Sequence, residues 1–257
     1  ATESGPSIKE LAIDVSGLTP LLADRFVTRS YQKGYDILRV KYDNLELAIA
    51  IQNKVKELLG FEIMEQSKDT LLIKSISQKL NIDFDSSLRR AFLMVIQMAD
   101  DCLEAFSKGD KKTLENVFYK DFDVNKFCHF CLRSINKGFH GEFGTHILYY
   151  LIESLEDVGD EYKALAKHLA KIKTRKKDLV RVIFKVNELT KISYEFFYNP
   201  TKEKAVRSIT LYNEVRKEIE SLLQTRDTNE ATALNSLDAI ARIMYHYPTM
   251  RLDTLKG

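Results

Sequence analysis

The stretch from His146 to Lys171 reads HILYYLIESLEDVGDEYKALAKHLAK, and the other elements of the chain can be placed around it. Ile147, Tyr150, Leu151, Leu155 and Val158 recur at helical spacing, which predicts a helix with these residues toward a core. Glu153, Glu156, Asp157 and Asp160 recur at steps of three and four, so four carboxylates share one stripe of that helix. Like charges at such steps repel, and the stripe costs stability unless cations answer it. Gly159 sits inside the helix at a cost of ~1 kcal/mol relative to alanine. That cost is easier to understand where something must approach the backbone closely. A solvated acidic face with a packing glycine accounts for the same residues, so spacing alone leaves surface and site both open.

Outward from this helix the pattern stays helical. From Asp83 onward no convincing strand is found. A first helix, about Ser86 to Ser107, carries Leu88, Phe92, Val95, Ile96, Ala99, Leu103 and Phe106 inward. Gly109 breaks it, and Asp110 caps a second helix from about Lys111 to Asn136. The helix of the opening stretch is the third. After the basic corner at Lys173 to Lys177 a fourth runs to Tyr198, with Leu179, Val182, Val186, Leu189 and Phe196 inward. Asn199-Pro200-Thr201 is a stop and restart, a fifth helix reaches about Gln224, and Asp227 with Glu230 makes a capping box for a sixth that Pro248 ends. Six long helices with short connections argue antiparallel bundles. They fall into two sets of three with matching features, an internal repeat covering about 84–171 and 175–248.

The chain before them differs. Residues 1 to 8 look like a tail, and Leu11 to Gly34 gives a mixed signal with a short helix at Leu21 to Tyr31. Asp36 to Tyr42 alternates as a half-buried strand does. Asp43 with Glu46 reads as a capping box for a helix over Asn44–Leu59, closed by Gly60. Phe61–Gln66 and Thr70–Ser75 read as strands joined by a turn at Ser67-Lys68-Asp69. The expected fold is therefore mostly α. Two tandem three-helix bundles, over 83–257, follow a small α+β domain of β-α-β-β type, over 1–82, that serves packing or dimerisation.

Composition excludes several classes. The chain has 257 residues and a formal net charge of +2, which compels neither nucleic acid nor membrane as partner. No run approaches the ~18 apolar residues of a membrane span. The first residues lack the order of a secretion signal and an initiator methionine, an expected sign of residues removed upstream. Three cysteines, Cys102, Cys128 and Cys131, fit a reducing cytoplasm. Cys128 and Cys131 form one Cys-x-x-Cys inside an aromatic helical run, which reads as buried packing. No Ser-His-Asp set, Walker loop or His-Glu-x-x-His is present, so an enzyme has little support. Carboxylate-bundle di-metal oxidases need Glu-x-x-His pairs, and Glu142 and His146 are four apart.

Leu155-Glu156-Asp157-Val158-Gly159-Asp160 resembles the Leu-Glu-Arg-Ile-Gly-Asp signature of the PhoU family of phosphate-uptake regulators. The repeated three-helix unit fits that family. The order Tyr35-Asp36-Ile37, Gly60-Phe61-Glu62-Ile63, Leu88-Arg89-Arg90 and Phe127-Cys128…Cys131 is similar to archaeal members, in which an AbrB-like DNA-binding segment often stands first. The resemblance implies a cytoplasmic, non-enzymatic, usually dimeric regulator. Its partners would be the ATPase of a phosphate ABC transporter or a phosphate-sensing signalling protein. It also implies a metal ion, divalent or trivalent (iron, zinc, manganese or magnesium), on acidic motifs. Carried onto this sequence, those motifs fall on Glu156 and Asp160 of the third helix, with Glu153 nearby, and on Asp121 and Asn125 of the second. In the second half they fall on Glu214, Glu218 and Asp238, with Arg242 where the other acid belongs.

Acids at i and i+4 on facing helices can surround a hard cation. His129, one turn beyond Asn125, would suit iron, manganese or zinc, or be a hydrogen-bonded bundle histidine. The basic corner, Lys171, Lys173, Arg175, Lys176 and Lys177, reads as an anion or acidic-surface site, or as cations complementing a helix end. A second expectation is the sensing and dimerising part of an AbrB–PhoU-type transcription regulator that meets DNA only through a segment not present here.

Overall fold

The computed structural model describes residues 8–76, 83–138, 144–224 and 227–252. The elements run β1 (Glu10–Asp14), α1 (Pro20–Gln32), β2 (Ile37–Lys41), α2 (Leu45–Lys56), β3 (Phe61–Gln66), β4 (Thr70–Ser75), α3 (Phe84–Lys108), α4 (Lys111–Asn136), α5 (Thr145–Leu169), α6 (Lys177–Tyr198), α7 (Lys202–Leu223) and α8 (Thr228–Thr249). Contacts divide the chain into two compact units. One joins Ala1–Arg89 with Lys126–Thr145, and the other joins Arg90–Asn125 with His146–Gly257.

In the first unit a four-stranded sheet has the order β1-β2-β4-β3. β1 and β2 are parallel; the other pairs are antiparallel. The expected β-α-β-β is thus preceded by one more strand and a well-formed helix. β1 is only five residues long and pairs with a strand beyond α1, so its alternation is too brief to read locally. α1 starts where its chemistry directs: Thr19 accepts from Leu22 N, and Pro20 opens the first turn. α2 is capped by Asn44, whose Oδ1 accepts from Leu47 N at 3.0 Å. Asp43, expected in that role, instead accepts from Gly17 N at 2.9 Å. The β3–β4 hairpin stands where the alternation predicts it, closed by Ser67 N to Thr70 O at 2.9 Å.

α1 and α2 cover a core that includes Val27, Tyr31, Leu38, Val40, Ile51, Phe61 and Ile73. The last turns of α4 join it through a buried arginine. Arg133 Nη1 donates to the carbonyls of Tyr31 (3.0 Å) and Tyr35 (2.6 Å), and Nη2 to Asp36 Oδ1 (2.6 Å). Its guanidinium also lies over the Tyr31 and Phe61 rings, at 4.9 and 5.1 Å. It thus adds a donor to the Tyr31 carbonyl in the last turn of α1, which also accepts from Gly34 N, and to the Tyr35 carbonyl just beyond the helix, where positive charge is favoured. Asn136 Nδ2 donates to Gln32 O at 2.9 Å in the same place.

The six helices lie where periodicity predicts them, and apart from the start of α3 and the last turns of α4 the bulk of them makes up the second unit. α6, α7 and α8 pack on one another. Fully buried Tyr162 of α5 donates to Asn187 Oδ1 at 3.2 Å, and Asn187 Nδ2 donates to Ala99 O at 2.6 Å, so α5, α6 and α3 share one polar chain. Phe92 packs edge-on or tilted against Tyr194, Phe197 and Tyr247. Asp110 and Asp227 cap α4 and α8 as expected. Glu230 does not fold back on its cap but pairs with Lys176 at 2.9 Å, and α8 runs through Pro248 to Thr249. On α5 the buried stripe is Leu148, Leu151, Leu155, Val158 and Tyr162, while Tyr150 is exposed. Steps of both three and four fit a helix, and the sequence places apolar residues at both. The three cysteines are buried, and among the described residues none forms a disulfide.

His129 is buried in the first unit, its Nδ1 3.0 Å from Gln32 Nε2. Arg29 donates to Gln32 Oε1 at 2.8 Å, which turns the amide nitrogen toward the imidazole and makes Nδ1 an acceptor. Burial, with Lys54 and Arg29 nearby, pushes the imidazole pKa down to about 3. The unfolded chain, with a histidine near 6.5, therefore binds more protons across that interval. Stability from this site is full above pH 6.5 and falls as pH drops through the window. Thermal unfolding from pH 7 to 4.5 should show the wild type losing roughly 2–3 kcal/mol more than His129→Gln. Parallel pH profiles for the two proteins would contradict this account.

Candidate functional site

The acidic stripe of α5 and the candidate residues of α4 meet within the second unit. Asp121 is buried, and its Oδ2 lies 2.6 Å from Lys163 Nζ. Lys163 also pairs with Asp160, three residues before it. Asn125 Nδ2 points at Asp121 Oδ2, at 3.4 Å. Asp121, Asn125 and Asp160 are therefore brought together, with an ammonium among them. Glu153 and Glu156 are half-buried on the same helix, and Asp157 is exposed. His129 does not join this group: the first unit holds it on Gln32. Among the described residues no group of three or more His, Cys, Asp or Glu side chains is placed to hold a metal ion.

Gly159 explains how α4 comes so close. A Cβ at this position would sit 3.3 Å from both Asp121 Oδ1 and Val124 Cγ1. The close approach is made by α4 itself. The glycine lets Asp121 reach Lys163, one turn along α5.

Charge on this face is unevenly answered. Burial works against the Lys163 ammonium, but Asp121 and Asp160 outweigh it and hold its pKa above the ordinary lysine value. Among the described residues Asp157 has no such partner. Partial burial, then Asp160 and Glu153, push its carboxyl upward. The repulsion expected from the spacing is therefore present, and Lys163 relieves part of it. Lys163 was legible as an i,i+3 partner of Asp160. Its reach to Asp121 was not, because that depends on how α4 packs.

The second half reverses the arrangement. Glu214 and Glu218 on α7 both pair with Lys185 of α6, each at 3.1 Å, and Arg181 Nε donates to Glu218 at 2.5 Å. Asp238 on α8 is buried and pairs with Arg216 (2.5 Å) and Arg242 (3.0 Å). In the first half the buried acid is on the second helix and the cation on the third; in the second half these places are exchanged. The basic corner is partly used in packing. Lys176 reaches Glu230, and the Arg175 guanidinium lies where a Cβ of Gly109 would be. Lys171, Lys173 and Lys177 are exposed.

Replacing Lys163 by Met leaves Asp121 buried beside Asp160 without that cation. A loss of about 2 kcal/mol is expected, as for a broken, largely buried pair. In an Asp121→Asn background the same replacement should cost well under that, since no buried charge remains to be stranded. A double-mutant cycle by urea unfolding measures the coupling, and additive losses would refute it.

A PhoU domain is matched by residues 88–169, which spans α3 to α5 and about a third of the chain. Among solved structures, the chain is similar to the phosphate transport system regulatory protein PhoU from Streptococcus pneumoniae, at 18% identity and a TM-score of 0.50. That match covers 66% of this chain and 93% of the other. At this identity the similarity is one of fold. No curated protein matches the chain. The match to the PhoU domain thus falls on α3, α4 and α5, of which α4 bears Asp121 and α5 bears Gly159 and Lys163.

Proposed function

We propose that this chain regulates phosphate uptake through protein contacts rather than catalysis. The observation that carries the proposal is the PhoU domain over residues 88–169, supported by the fold it shares with a phosphate transport regulatory protein. It works as a homodimer in the cytoplasm, which suits its three free thiols. Its partner is the ATPase of a phosphate ABC transporter or a phosphate-sensing signalling protein. No helix among the described residues is long and apolar enough to cross a membrane, so contact with a transporter would be made from its surface.

The oxygen donors of Asp121, Glu156 and Asp160 suit a hard cation, but Lys163 holds the place between two of them. An ion such as magnesium or manganese therefore enters only by displacing the ammonium. The metal would supply charge neutralisation of the stripe, which Lys163 already supplies in part. A second reading draws on the α/β unit, whose residues before 88 lie outside the PhoU match. In that reading the chain is the sensing and dimerising part of an AbrB–PhoU-type transcription regulator of the archaeal kind. Mobility shifts with this chain and with a longer protein bearing such a segment separate the two.

Deleting the gene should raise uptake of radiolabelled phosphate in phosphate-replete cells, and re-expression should restore the restraint. Unchanged uptake would remove the main proposal. Calorimetric titration with manganese should show tighter binding to Lys163→Ala than to wild type, by about tenfold or more. Equal affinities would show that Lys163 does not compete with the ion.

A further inference from the structure

Among the described residues β1 is an edge strand, with β2 on one side only. Lys9 O accepts from Ile37 N, and Val15 N donates to Lys41 O. In a parallel pair the backbone groups alternate, so Leu11 and Ile13 also turn theirs toward β2. The N–H and C=O groups of Glu10, Ala12 and Asp14 are left on the open edge. A groove of about 440 Å³ lies between β1 and α1. Leu11, Ile13, Leu22 and Phe26 supply its apolar surface, with Leu22 45% and Phe26 50% exposed. Arg25, Arg29 and Lys33 line it from α1 at steps of four, as one cationic row. No acidic side chain lines it, and Arg25 and Lys33 make no ion pair among the described residues. The acids of β1 itself are engaged across the sheet, Glu10 with Arg39 at 2.7 Å and Asp14 with Lys41 at 3.2 Å.

We propose that this edge and groove bind an extended, acidic segment of a partner protein, which adds to the sheet beside β1. The open backbone groups supply main-chain hydrogen bonds. Every second side chain of the segment faces α1, and on that face apolar residues enter the groove against Leu22 and Phe26 while carboxylates meet the row on α1. Charge argues against a second copy of this chain in the same place. Antiparallel pairing of β1 with itself about Ala12 would set Glu10 against Asp14 of the other copy, and like charges directly opposite are destabilising. It would also bring two cationic α1 faces to one junction. The proposal stands on the α/β unit and does not depend on the phosphate-uptake reading.

The test uses the full chain and a fluorescein-labelled glutamate peptide repeating valine-threonine-glutamate-threonine, which sets valine and glutamate on one face, with the lysine peptide, valine-threonine-lysine-threonine, as control, read by anisotropy. The glutamate peptide should bind about tenfold or more tightly than the lysine peptide. Arg25→Glu with Lys33→Glu, both on the surface, should abolish or reverse that preference. Ala12→Pro removes an outward N–H where an edge strand tolerates proline, and it should abolish binding with the thermal unfolding midpoint little changed. Absence of glutamate-peptide binding at millimolar concentration would overturn the proposal, and so would equal binding of the two peptides. A dimer in sedimentation that Ala12→Pro dissolves would also overturn it, by assigning the edge to a second copy.

Discussion

Two buried charges on one helix set the terms for the rest of the molecule. α4 carries Asp121 in the second unit and Arg133 in the first, both largely out of water. A charge so placed is tolerated only where opposite charge and hydrogen bonds meet it, and leaving one unmet costs several kcal/mol. Asp121 is met by Lys163 of α5. Arg133 is met by two carbonyls at the end of α1 and by Asp36. Each charge thereby fixes the stretch of α4 around it against a particular neighbour. A one-residue shift of either stretch within its own unit would strand its charge.

The same reasoning orders the candidate site. Burial first, and then Asp160 and Glu153 of the same stripe, push the Asp157 carboxyl upward, and the cation that relieves part of the stripe's repulsion comes from the chain. In the second half lysine and arginine from α6, α7 and α8 do the same for Glu214, Glu218 and Asp238. The two repeats therefore share an architecture and a charge logic while differing in which helix carries the acid. Internal cations make these faces less dependent on a bound ion. They leave the exposed remainder of the stripe, and the open sheet edge of the other unit, among the surfaces that face outward.

Much of the fold was legible in the residues. Long runs at helical spacing, Asp110 and Asp227 at helix starts, and a hairpin with a Ser67-Lys68-Asp69 turn depend on neighbours within a few positions, and the structure has them as read. The acidic residues of α5 were also legible as a stripe. Features set by distant partners were not. β1 pairs with a strand beyond α1, Asn44 displaces Asp43 as cap because Asp43 is drawn to Gly17, and His129 is claimed by Gln32. Each of these depends on a partner distant in the chain.

The amino-acid order by itself thus determined the class of the fold, the number and placement of its long helices, and which carboxylates share a helix face. Periodicity and capping are local properties, and local spacing is enough to express them. Only the tertiary structure decided what answers those carboxylates and which strand edge stays open. The close approach of α4 at Gly159 brings Lys163 to Asp121, and the parallel pairing of β1 leaves Glu10, Ala12 and Asp14 facing outward. Both depend on distances between segments that no spacing along the chain encodes.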